Sequence, residues 1–188
     1  MNTSATIMEK PRLSVKVQTL ATLAAIAGAV VVPQFFHLLG AASGLGTALG
    51  ETFLPMHLPI SLVGLLAGPY AGAISGILGP VASFALSGMP GLAMLPFMML
   101  ELGTYGLAAG LLRNRKLPTV LKVVMAQIAG RAVRAAAILV SVYALGNESV
   151  AVASIWTSIG AGLIGLCLQW ALLPLIVYRV EGMKKDEQ

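Results

Sequence analysis

Residues 51–91 read ETFLPMHLPISLVGLLAGPYAGAISGILGPVASFALSGMPG, and their reading decides the fold. Two short apolar segments, one behind His57 and Pro59 and one behind Tyr70, are joined by Gly68-Pro69. Glu51 is the only acid in the stretch, and it contains no Lys or Arg. Segments this apolar, hinged by Gly-Pro and crowded with Gly, Ala and Ser, have no polar face to give to water. They read as a membrane hairpin with a histidine held near one end.

The rest of the chain agrees with that reading. Of its 188 residues, 57% are hydrophobic and 10% are charged, and the mean hydropathy is +0.89. A soluble domain carries about 25% charged residues because its surface faces water. Several apolar runs approach or exceed the roughly 20 residues that cross the hydrocarbon core as a helix. The class is an all-α integral membrane protein. Its expected parts are an N-terminal segment over 1–12, a six-helix membrane domain over 13–179 and a charged, disordered tail over 180–188. The first apolar run lacks a cleavage site leading into a soluble domain, so it reads as a retained helix and not as a signal peptide.

The six helices are placed at about 13–39, 55–68, 70–86, 91–112, 118–145 and 150–178. Residues 40–54 read as a Gly-rich mobile loop, and Pro33 and Pro80 as bends. Ten of the twelve basic residues then fall at one end of the bundle: Lys10, Arg12, Lys16, Arg113, Arg115, Lys116, Lys122, Arg179, Lys184 and Lys185. The loops at the other end, around 40–54, 87–91 and 146–149, hold no Lys or Arg. The positive-inside rule puts the basic end and both termini in the cytoplasm. The net charge of +5 is therefore a topology signal, and a nucleic-acid partner is not expected.

Arg131 and Arg134 are the exceptions, lying inside the fifth helix at i and i+3 on roughly one face. Glu101 sits at a comparable depth in the fourth. A charge at mid-membrane costs at least about 2.5–3.5 kcal/mol, so it is paired or faces a cavity. Two readings stay open: an ion pair that pins the two helices, or one arginine paired with Glu101 while the other faces a ligand cavity or partner subunit. His57 presents a donor and an acceptor suited to a polar heterocycle. His37, at the same end, is a weaker candidate. Tyr105 and Trp156 offer aromatic surface for a ligand, although Trp156 equally reads as an interfacial anchor. Gln127 reads as a helix–helix hydrogen bond, with ligand contact as the alternative.

Other chemistries lack their residues. There is no Walker A loop, and no HExxH or GxSxG motif. The single cysteine, Cys167, has no partner for a disulfide. No catalytic constellation, metal site or cofactor is expected, and the two histidines near the outer end do not form one. Ala21, Ala25 and Ala29 recur at four-residue spacing, a stripe that lets another helix approach closely, inside the protein or from outside.

The string GETFLPMHLPISLVGLLAGPYAGAISGILGPVASFALSGMPG, followed by MLELGTYGLAAGLL, resembles the substrate-binding (S) components of energy-coupling factor (ECF) vitamin transporters. The resemblance runs from about Val15 to Leu112, with Leu100 where one branch has an aromatic residue before the acid. It implies a non-enzymatic subunit in the prokaryotic plasma membrane that binds a vitamin or precursor near the outer face. It implies as partners a transmembrane coupling protein and two cytoplasmic ATPases, which hydrolyse the ATP. It assigns Ala21, Ala25 and Ala29 to docking on the coupling protein. Glu51, Met56, Met89 and Pro90 fall on its gating loops. His57, Glu101, Tyr105, Gln127, Arg131, Arg134 and Trp156 are the expected substrate-binding residues. Pyridoxine-like or hydroxymethylpyrimidine-like heterocycles lead as substrates, ahead of niacin, pantothenate, queuosine precursors and cobalamin. A membrane assembly protein or, less well supported, an intramembrane enzyme are the alternatives.

Overall fold

The computed structural model describes residues 13–186, with side chains through residue 182; the expected N-terminal segment 1–12 lies outside the described residues. Every regular element described is helical: α1 (Val15–Ala42), α2 (Ala48–Phe53), α3 (His57–Ala67), α4 (Pro69–Ser87), α5 (Leu95–Leu112), α6 (Thr119–Leu139), α7 (Ser154–Ala161) and α8 (Leu163–Asp186). Among the described residues, six spans are long and apolar enough to cross a membrane, with α2 and α3 counting as one. Their outward faces carry Leu20, Leu23, Val31, Ile128 and Ile164. Exposed apolar side chains of this kind suit a hydrocarbon solvent.

The opening hairpin is α3 and α4. Gly68 turns it at φ 109°, a conformation open to glycine because it has no Cβ. Pro69 follows in the first turn of α4, where the missing N–H costs nothing. Helix α5 packs against α4 along a seam of glycines. Gly72 and Gly106 face each other so closely that a methyl group on either would collide with the other's carbonyl, and Gly76 meets the backbone at Leu102 in the same way. In a membrane, where the hydrophobic effect does not drive helices together, close backbone approach of this kind supplies the dispersion contact.

Four features differ from the sequence-based expectation. The 40–54 segment contains a helix, α2, which ends at Leu54 in the left-handed region, φ 48°. The sixth helix is broken at Gly162 into α7 and α8, where the N–H of Gly162 bonds the carbonyl of Ser158. Beyond Leu139, α6 runs on into a π-helix over Val140–Ala144. Finally, α8 continues as helix through Asp186, into the residues expected to be a disordered tail.

The alanine stripe of α1 is already used within the bundle. Ala25 packs with Val63, Ala67 and Ala71, with Ala21 partly buried beside them. Ala29 is fully buried and faces Gly79 so closely that a methyl group on that glycine would crowd the Ala29 Cβ. The expectation that Ala25 and Ala29 form a free docking surface is therefore corrected. The small residues let α1 close onto α3 and α4, so two of the three are inaccessible to any partner.

Candidate functional site

Glu101 is the centre of a charge cluster between α3, α5 and α6. Position 101 faces inward on α5 and is completely buried. Arg134 Nη1 donates to Glu101 Oε2 at 2.8 Å. Arg131 Nε lies 3.1 Å from Oε1, an ion pair in contact distance whose N–H is not aligned for a hydrogen bond. Both arginines therefore share the one carboxylate, with Arg134 making the better bond. The i, i+3 spacing places them on one helical face, and the antiparallel course of α5 and α6 brings Glu101 to that face.

His57 starts α3 and is buried. Its Nε2 lies 3.6 Å from Glu101 Oε1, too far for a hydrogen bond. Its ring stands 5.1 Å from that of Tyr105, tilted by 59°. The cluster is rich in buried polar atoms that make no aligned hydrogen bond within the protein: both His57 nitrogens, the Tyr105 hydroxyl, Arg131 Nη2 and Arg134 Nε. Buried polar groups are nearly always satisfied, so such a concentration in one place calls for an explanation.

A cavity of about 420 Å³ adjoins the cluster, within the range of small-molecule sites. His57, Arg131 and Arg134 line it. Glu51, Met56, Met89 and Pro90 line it as well, and the Met89–Pro90 peptide is cis. It lies at the end of the bundle where the connecting segments carry no Lys or Arg.

The structure also places residues that the sequence reading underweighted. Ser154, Thr157 and Ser158 of α7 border the cavity, and Arg131 Nη1 donates to Ser158 Oγ at 3.3 Å. Their i, i+3, i+4 spacing was a legible hydroxyl stripe, hidden by reading 150–178 as one continuous helix. His37, Ser83, Met94 and Met98 complete much of the wall. No local signal marked Ser83 or the methionines.

Four expected substrate-binding residues are outside the lining. Glu101 sits behind the arginines, and Tyr105 behind His57, each fully buried. Gln127 accepts from Trp170 Nε1 at 2.6 Å and donates to Gln169 at 3.2 Å, a closed network between α6 and α8. Trp156 is 73% exposed and turns away from the cavity, so the expected stacking role is corrected. An aromatic ring there lies on the outside of the bundle, where interfacial anchoring is its ordinary use.

Residues 16–177 match the family model described as "ECF transporter, substrate-specific component". The chain belongs to this family. Comparison with curated proteins and with solved structures returns no match. As an S component the chain is a multi-pass membrane protein and a substrate-specific transporter subunit. In such a subunit a solute-sized cavity with unpartnered donors at its floor is the feature that can select a substrate.

Proposed function

We propose that this S component binds a small water-soluble vitamin or precursor in the cavity beneath α2 and α7, and delivers it to an ATP-driven ECF importer. The observation that carries the reading is the cavity itself, about 420 Å³ with His57, Arg131 and Arg134 in its wall. Its volume suits a single heterocycle or a short polar chain and is too small for a corrin macrocycle, which argues against cobalamin. ATP hydrolysis belongs to partner ATPases, and a transmembrane coupling protein links them to this subunit.

The distribution of basic residues supports an orientation with both termini in the cytoplasm and the cavity mouth outward, in a prokaryotic plasma membrane. In that orientation α2 and the loop at Met89-Pro90 are the gating elements. Gly44, Gly46 and Gly88 supply positive-φ positions beside them, where the backbone can rearrange. Glu51 stands at the mouth, bonded by the Thr47 hydroxyl at 3.3 Å.

Mass spectrometry of denatured protein, purified in lipid nanodiscs, tests the reading. A small molecule released at near-stoichiometric yield is expected, and Ser158→Trp, which fills the cavity, should abolish its retention. Equal retention by that variant would place the ligand elsewhere. Uptake into proteoliposomes should additionally require the coupling protein, the ATPases and ATP.

A further inference from the structure

We infer that the ligand of this cavity carries one anionic group, a carboxylate or equivalent, which Arg131 receives. The inference rests on the substrate-binding reading above and adds the chemical class.

The charges around the cavity do not balance. Arg131 and Arg134 supply two fixed positive charges, since a guanidinium does not lose its proton in proteins. Glu101, fully buried behind them, supplies one negative charge. Glu51 is the remaining acid in the wall, and it is exposed at the mouth, where water screens it. His57 and His37 add no negative charge in any protonation state. The floor of the cavity therefore holds an excess of one positive charge in a membrane-embedded site, where an uncompensated charge is costly.

The two arginines divide the work unequally. Arg134 donates directly to Glu101. Arg131 holds the carboxylate only as a misaligned ion pair and spends Nη1 on Ser158. Its Nε faces Glu101 without an aligned bond, its Nη2 has no hydrogen-bond partner, and the side chain, 11% exposed, lines the cavity. A planar guanidinium with an unbonded Nη2, held in place by its neighbours, is suited to a carboxylate. The Ser158 hydroxyl beside it provides a second polar contact. A dianion would reverse the local imbalance, whereas a monoanion cancels it.

The test uses the full chain in nanodiscs of phosphatidylcholine, which removes anionic headgroups as a source of the occupant. The molecule released from the wild type is identified, and both it and its methyl ester are titrated into ligand-stripped protein. The expected result is a molecule with one ionised acid group. Its ester, or a derivative with that group otherwise neutralised, should bind about ten- to hundredfold more weakly. Arg131→Gln should bind acid and ester alike, and Arg131→Lys, which keeps the charge but loses the fork, should retain part of the preference. A neutral or cationic released molecule overturns the inference and leaves the substrate-binding reading standing. So does an acid whose preference over its ester survives in folded Arg131→Gln. The absence of any released or bound molecule overturns both.

Discussion

Helix α6 carries two buried polar clusters, one turn apart, and they are built in opposite ways. Around Gln127, donors and acceptors are matched: Trp170 donates to it, it donates to Gln169, and Gln169 Nε2 reaches the carbonyl of Leu54 at 3.4 Å. Around Arg131, two cations share one acid, and donors on four side chains lack hydrogen-bond partners. Both clusters sit among packed helices, so burial does not distinguish them; saturation does. A closed network holds helices together, and an open one beside a cavity is poised for something else. The Gln169 contact also ties α8 to Leu54, whose left-handed backbone is unusual for a leucine and borders the cavity.

The comparison can be broken most sharply at Glu101. Glu101→Ala leaves two buried guanidiniums without a counter-charge, and removing one partner of a buried ion pair costs about 3–5 kcal/mol. Thermal unfolding in nanodiscs should fall more than for any other variant considered, and ligand retention should be lost. Unchanged stability would mean that the arginines are solvated and the cluster is not a buried one.

The arginines come next. Arg134→Gln should cost more stability than Arg131→Gln, because it removes the aligned charge-assisted hydrogen bond, a class of bond contributing about 1.5–3 kcal/mol. Arg131→Gln should instead show its main effect on ligand affinity. If the two variants unfold alike and lose ligand alike, the division of labour between them is wrong.

Gln127→Leu should open the closed network at a cost of about 1 kcal/mol, the scale of interhelical hydrogen bonds in membranes. Ligand affinity should stay within twofold, measured by titration. A larger loss would show that the network positions the cavity wall through Leu54. The smallest effect is expected for Trp156→Ala, whose side chain lies outside the bundle. Loss of retention there would return Trp156 to the site.

Much of this was legible in particular residues. Gly68-Pro69 marked the hairpin turn, because a positive φ followed by a fixed one leaves few alternatives. Glu101, Arg131 and Arg134 announced themselves because charges inside apolar runs are too costly to be incidental. The break at Gly162 was not legible, since a lone glycine in a helical run is usually tolerated. Missing it concealed the hydroxyl stripe of α7. Small residues at four-residue spacing were likewise ambiguous: the pattern shows that α1 approaches something closely and cannot show whether that neighbour is α3 and α4 or another protein.

By itself the sequence determined that this is a helical membrane protein of six spans, with its basic residues gathered at one end and three charges left inside. Those conclusions follow from transfer free energies, which depend on what each segment is made of. Tertiary structure alone decided that both arginines share Glu101, that Gln127 is satisfied by Trp170 and Gln169, and that Trp156 faces outward. Whether a buried donor is matched depends on atoms brought in from distant segments, and a few ångströms of placement separate a structural bond from an open site.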